Sequence, residues 1–166
     1  LMVTLSEHLN AIANRLASVG VDTAALDARV LVAHALKLPI ESLVSDAQHV
    51  LSTDEIEAIE ILVKRRENRE PVSHLIGMRG FWKHDFIVTK DVLTPRPDSE
   101  TLIEGLLKLR PEKKVPLTIL DLGTGSGCLL LSALDEFPNA RGIGVDKSDA
   151  ALAVARANAE RLKLSS

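Results

Sequence analysis

Closely spaced glycines and two aspartates form the part of this sequence best suited to chemistry. The segment Asp121-Leu-Gly-Thr-Gly-Ser-Gly127 follows a short apolar run and precedes a run with helical periodicity. Glycines at a strand-to-helix junction allow a sharp turn and a close approach of the backbone to a ligand. The loop therefore predicts a cofactor crevice. The same spacing also suits a plain structural connection between a strand and a helix.

The spacing of the glycines distinguishes two classes of cofactor. Dinucleotide binding favours Gly-x-Gly-x-x-Gly, whereas here Gly127 comes one residue early and Cys128 takes its place. The carboxylate of Asp121 disfavours a pyrophosphate beside it and suits the ammonium group of a methionine. Asp146 ends the next apolar run, where an acid can accept hydrogen bonds from ribose hydroxyls. Together these features predict binding of S-adenosylmethionine, with contacts from Asp121, Gly123, Thr124, Gly125, Ser126, Gly127 and Asp146.

Composition limits the other classes of function. A formal net charge of -3 and a pI of about 6.0 provide no basic field for nucleic acid. The single cysteine excludes an internal disulfide, and the five histidines lack metal-ligand spacing, so we predict no metal site. No apolar run approaches the roughly 20 residues of a membrane span, and no signal peptide is evident, so we expect a cytoplasmic protein that does not bind membranes. Cys128 is interpreted as a packing residue rather than a nucleophile.

The first 72 residues have the pattern of a small helical bundle. Thr4 with Glu7 and Ser52 with Glu55 are capping boxes, each followed by apolar residues at helical spacing. A second helix is predicted from Asp22 until Pro39 prevents its continuation, and a short third helix is predicted over residues 40–45. The bundle carries no chemical constellation, and we assign it to substrate recognition.

The residue composition changes in the remainder of the chain. Residues 75–82 and 85–89 are rich in β-branched and aromatic residues and predict a β-hairpin, which we treat as a connector over residues 73–94. Asp98 or Ser99 can cap the following helix. Short apolar runs over 117–122 and 142–145 then alternate with helices that run to about Phe137 and from Ser148. This β-α-β-α order predicts the opening of an α/β doubly wound parallel sheet over residues 95–166.

Several of these segments resemble the PrmC/HemK family of release-factor glutamine N5-methyltransferases. The hairpin entry is similar over Arg69-Glu-Pro-Val-Ser-His-Leu-Ile-Gly77 and Gly80-Phe-Trp82. The segment Thr94-Pro-Arg-Pro-Asp-Ser-Glu100 is similar to the family's Pro-Arg-Pro signature. The glycine loop and Gly144-Val-Asp-Lys-Ser148 are similar to cofactor motifs found in many class I, Rossmann-like methyltransferases, so the Pro-Arg-Pro segment and the helical bundle before it are the more specific features.

The resemblance implies methyl transfer from S-adenosylmethionine to the side-chain amide nitrogen of the glutamine in the Gly-Gly-Gln motif of class I peptide-chain release factors. It places Thr94 and Arg96 near the methionine part of the cofactor, although Pro95-Arg-Pro97 can equally serve only to fix a turn. The family's Asn-Pro-Pro-Tyr acceptor motif does not occur in this sequence. We therefore name no catalytic residue, and we expect the methyltransferase domain to be truncated after its second strand and the chain alone to be an inactive monomer.

Two other functions compete with this interpretation. Enzymes that methylate adenine in nucleic acid use related chemistry, but they need aromatic side chains that stack on the flipped base and a basic surface that binds the phosphates. This chain has only four Phe and Trp residues in total and a formal net charge of -3, which argues against this alternative. The second alternative is a non-catalytic fragment in which the helical bundle binds a protein partner.

Overall fold

Five helices build the first part of the chain in the computed structural model, which describes residues 3–164. The chain divides after Ile76 into two compact units. Both predicted capping boxes are confirmed, because the side chains of Thr4 and Ser52 each accept the N–H group of the glutamate three residues on. The helices are α1 (Leu5–Ser18), α2 (Ala24–Leu36), α3 (Ser42–Ser45), α4 (Thr53–Glu67) and α5 (Val72–Ile76).

The first unit has its own apolar core between α1, α2 and α4. The members of this core that are most deeply buried include Leu5, Ile12, Leu16, Val32, Ile59 and Val63. A buried ion pair also joins two of these helices, since Arg66 Nε lies 2.7 Å from Asp27 Oδ2. Asp27 is further held by the hydroxyl of Thr23 at 2.9 Å. The unit therefore contains both a continuous apolar core and a satisfied polar contact.

The predicted β-hairpin is present, but it is shorter than the sequence suggested. Strand β1 (Met78–Phe81) pairs in antiparallel register with β2 (His84–Ile87). The prediction that the first strand begins at Leu75 is wrong, because Leu75 and Ile76 belong to α5. The N–H groups of His74 and Leu75 both bind the carbonyl of Pro71, which starts a helical turn. An apolar run this short does not distinguish a strand from a helix.

The rest of the second unit has the predicted β-α-β-α order. A 3-10 turn (Pro97–Ser99) leads into α6 (Glu100–Leu109), followed by β3 (Thr118–Leu122), α7 (Cys128–Glu136), β4 (Arg141–Val145) and α8 (Asp149–Arg161). Strands β3 and β4 are parallel, which confirms the start of a Rossmann-like α/β fold. Ser148 caps α8 as an acceptor for the N–H of Ala151, whereas Ser99 makes no side-chain cap.

The two parallel strands pack helices on one side and leave apolar side chains open on the other. A Cβ atom on Gly142 would lie 2.9 Å from Leu130 Cδ1 and 2.8 Å from Leu134 Cδ1, so β4 needs glycine there for α7 to approach. In contrast, Leu120 is 58% exposed and Leu122 is 74% exposed. Within residues 3–164, no helix has the length and apolar character required to cross a membrane.

Candidate functional site

The glycine loop connects the end of β3 to the start of α7 and is anchored on β4. The N–H groups of Gly123 and Thr124 both donate to the carbonyl of Val145, at 2.7 and 3.0 Å. The loop closes with a bond from Gly127 N–H to the carbonyl of Thr124 at 2.8 Å. Its three glycines have φ angles of +78°, +54° and +79°, a region that side chains disfavour. The loop conformation therefore requires glycine at these positions.

The three glycines differ in what surrounds them. A Cβ atom on Gly123 or Gly125 would have no heavy atom within 4 Å, so the space beside both is open. A Cβ atom on Gly127 would lie 3.1 Å from Leu131 Cδ1 and 3.4 Å from Ala155 Cβ. The first two glycines thus expose their backbone to open space, and the third allows close packing of α7 and α8.

Asp146 lies directly after β4 and binds the loop. Its Oδ2 accepts the N–H of Gly125 at 2.9 Å, and its Oδ1 accepts the N–H of Ser148 at 3.0 Å. These bonds, from Ser148 first and then Gly125, lower the pKa of Asp146 because they favour the ionised carboxylate. Each carboxylate oxygen has two lone pairs. With the backbone of Lys147 also contributing a hydrogen bond, the carboxylate keeps lone-pair capacity for a further donor.

A pocket of about 140 Å³ separates the glycine loop from the Pro-Arg-Pro segment. One wall is formed by residues 93–96 and Ser99, and the other by residues 123–126 and the start of α7. The structure therefore brings the predicted Thr94 and Arg96 to the same pocket as most of the loop. Three other predicted residues, Asp121, Gly127 and Asp146, do not line this pocket. Asp146 nevertheless contacts it indirectly through the N–H of Gly125.

Three buried side-chain oxygens belong to the loop and the end of β3. Asp121 Oδ2 and Thr124 Oγ1 have no hydrogen-bond partner among the residues described, and Ser126 Oγ has none there except the Cys128 thiol. A buried carboxylate oxygen without a donor costs free energy, so such an atom indicates a missing donor. The ammonium and hydroxyl groups of the predicted cofactor are donors of the kind that these oxygen atoms can accept.

Cys128 follows the loop but is not prepared as a nucleophile. Burial raises the pKa of its thiol, an effect that the hydrogen bond with Ser126 only partly offsets. Reactive cysteines have a lowered pKa. The interpretation of Cys128 as a packing residue is consistent with this environment.

Sequence reasoning missed two buried polar residues that hold the surroundings of the site. Asn158 of α8 is completely buried and bonds to Ile87 and to Ser126. Glu136, at the end of α7, binds Trp82, Lys83 and Lys113. A signal for Asn158 was present, since it continues the buried face formed by Ala151 and Val154 at spacings of three and four.

Comparison with known proteins supports both halves of this description. Residues 7–77 match the family model of the PrmC N-terminal domain, and residues 113–166 match a methyltransferase domain model. The chain is 43% identical over 162 residues to the release factor glutamine methyltransferase of Caulobacter vibrioides, covering 98% of this chain and 56% of that protein. It is 43% identical over 150 residues to the same-named protein of Rhodospirillum rubrum, covering 90% and 46%.

A more distant relative also aligns with nearly the whole chain. The bifunctional methyltransferase of Rickettsia conorii is 34% identical over 184 aligned positions, covering 97% of this chain and 35% of that protein. The chain spans about half the length of the release factor methyltransferases that it matches. The two domain matches, in the order in which the structure places the helical unit and the α/β unit, confirm that this chain belongs to the PrmC/HemK family and corresponds to its N-terminal part.

Proposed function

We propose that the protein to which this chain belongs transfers a methyl group from S-adenosylmethionine to the side-chain amide nitrogen, N5, of the glutamine in the Gly-Gly-Gln motif of class I release factors. The observation that carries this proposal is the identity with release factor glutamine methyltransferases along nearly the whole chain. The loop geometry and the buried, unpaired oxygen atoms of Asp121 and Thr124 support the choice of cofactor. The substrate is a translation factor, and we place the reaction in the cytoplasm.

In this proposal the chain supplies the cofactor site. The sulfonium group of S-adenosylmethionine supplies the activated methyl group. Asp121 would accept hydrogen bonds from the ammonium of the methionine part, and Asp146 would accept them from ribose hydroxyls. The backbone of residues 123–127 shapes the crevice, while Thr94 and Arg96 form the opposite wall.

The acceptor nitrogen needs positioning more than a strong base. The lone pair of an amide nitrogen is delocalised, so the rate depends on orienting the amide towards the methyl group and accepting hydrogen bonds from its N–H groups. We assign these acceptors to the Asn-Pro-Pro-Tyr motif of the family, which is absent from the 166 residues. The helical unit, with a core of its own, is proposed to hold the release factor.

A transfer assay tests the proposal. The full-length protein is incubated with a radiolabelled methyl donor and an unmodified class I release factor, and the label is located by mass spectrometry of the Gly-Gly-Gln peptide. The matched control is the same factor with that glutamine replaced by alanine. Label on the glutamine, and none on the control, is the expected result. Label on adenine in added DNA instead would support the competing nucleic-acid methyltransferase.

A further inference from the structure

Asn158 is a fully buried polar residue whose side chain uses all of its strong hydrogen-bonding groups. Its Oδ1 accepts the N–H of Ile87 at 2.7 Å. Its Nδ2 donates to the carbonyl of Ile87 at 3.0 Å and to the carbonyl of Ser126 at 2.9 Å. A buried network in which every group is satisfied fixes one arrangement of the parts that it joins, because any shift leaves a buried polar group unpaired.

Asn158 joins one wall of the pocket to the strand that precedes the other wall. Ser126 lies inside the glycine loop, between two glycines with positive φ angles. Ile87 is the last residue of β2, six positions before Leu93, where the opposite wall begins. The intervening Val88 and Val92 are buried against Ala151 and Val154 of the same helix. Helix α8 therefore contacts the glycine loop, which forms one wall, and the segment of residues 87–92 that leads to the other wall, and Asn158 makes polar bonds to both of these parts.

Asn158 also holds a part of the loop that Asp146 does not reach. Asp146 accepts the N–H of Gly125, which fixes the loop from the end of β4. Asn158 donates to the carbonyl of the next residue, which fixes it from α8. Without this donor, the Ser126 carbonyl would be free to rotate between two glycines, whose backbone dihedrals are the least restricted.

We infer that Asn158 is a positioning residue for cofactor binding, which sets the distance between the glycine loop and the segment of residues 93–96 without contacting the cofactor itself. The inference rests on the proposed binding of S-adenosylmethionine to this pocket. It predicts that loss of the two N–H donations weakens cofactor binding even when the protein remains folded.

The variant N158D tests this inference in the full-length protein. Aspartate has the shape of asparagine and keeps an acceptor for Ile87 N–H, but it replaces both donations with a carboxylate oxygen facing two carbonyls. The matched control is N139D, because Asn139 also donates from Nδ2 to a carbonyl, that of Lys114 at 2.7 Å, but on the surface of the same unit. Calorimetry with S-adenosylhomocysteine measures affinity, and circular dichroism confirms folding.

We expect N158D to raise the dissociation constant for S-adenosylhomocysteine by about tenfold or more, and N139D to leave it unchanged. In the methyl transfer assay, the KM for the methyl donor should rise while the KM for the release factor stays the same. A purely structural role would lower the folded fraction without changing one KM selectively. Equal affinity of folded N158D and the wild type would overturn the inference.

A measurement on the wild type covers the case in which N158D does not fold. Hydrogen exchange should show that S-adenosylhomocysteine slows exchange of Ile87 N–H, which is bound to Asn158, more than that of Val88 N–H, which is bound to the carbonyl of Gly77. Equal effects on the two amides would contradict the coupling. Failure of the wild type to bind S-adenosylhomocysteine would instead refute the proposed function. In that case the role of Asn158 in holding the loop is tested without the cofactor, because folded N158D should then show faster exchange of Gly127 N–H than the wild type.

Discussion

Glu136 offers a test of how the hairpin is attached to the α/β unit. Its side chain is only 2% exposed, yet it carries a carboxylate at the C-terminal end of α7, where the helix dipole disfavours negative charge. Three donors offset this cost. They are the ammonium groups of Lys113 and Lys83 and the indole Nε1 of Trp82, the last at 2.9 Å. These donors, with Lys113 contributing most, lower the pKa of Glu136 to about 2.

The size of the effect follows from this pKa. A shift from 4.5 to about 2 corresponds to roughly 3 kcal/mol in favour of the folded state with an ionised Glu136. The two lysines are more than half exposed, at 55% and 52%, and solvent screening reduces the figure to about 2 kcal/mol. Because the folded-state pKa is below the unfolded value, this stabilisation is present above about pH 4.5 and is lost as the pH falls towards 2.

We expect E136Q to lose about 2 kcal/mol of stability at pH 7 and progressively less, relative to the wild type, below pH 4.5. Urea unfolding of this 166-residue chain followed by fluorescence measures this difference, because the chain has a single tryptophan, Trp82, and it contacts Glu136. The control is E104Q, which neutralises an exposed glutamate of α6. A difference between E136Q and the wild type that is the same at pH 7 and pH 3 would show that packing, and not charge, explains it.

Three further predictions address the site and the two units. D146A should weaken binding of S-adenosylhomocysteine by about tenfold or more, because ribose acceptors and an anchor of the loop are lost together; calorimetry giving equal affinities would refute the role of Asp146. G142V should destabilise the second unit by about 1–3 kcal/mol, since the added side chain overlaps leucines of α7, and an unchanged urea midpoint would contradict this packing. Deletion of residues 1–72 should raise the KM for intact release factor while cofactor affinity is retained; an unchanged KM would give the bundle another role.

Local patterns predicted the elements of this fold well. The capping boxes at Thr4 and Ser52 depend on residues three apart, so the sequence contains the whole interaction. The strands β3 and β4 were apolar runs followed by polar turns, and the structure confirms both with small changes in their ends. The start of β1 was wrong because Leu75 and Ile76 suit either a helix or a strand, and the helical turn at Pro71 decided the outcome.

The supporting residues of the site could not be predicted in the same way. Asn158 is 71 positions from Ile87, and Glu136 is 54 positions from Trp82. No local pattern predicts a contact at such a separation, since it exists only after the helices have packed. The assignments of Asp121, Asp146 and the loop residues to parts of the cofactor stay predictions. They are supported by the backbone conformation of the loop and by the buried, unpaired oxygen atoms beside it.

These distant contacts hold the hairpin that leads into the second wall of the pocket. The hairpin is bound at its turn by Glu136 of α7, through Trp82 and Lys83, and at the end of β2 by Asn158 of α8. Both helices belong to the parallel β-α-β-α segment, so the hairpin packs as part of the same unit, in agreement with the division of the chain after Ile76. Because the hairpin is fixed at both ends, the short segment that follows Ile87 has little freedom in where it can meet the glycine loop. The local spacing of glycines and acids thus indicates which cofactor the loop suits, whereas two buried polar residues, Glu136 and Asn158, hold the hairpin that precedes the opposite wall.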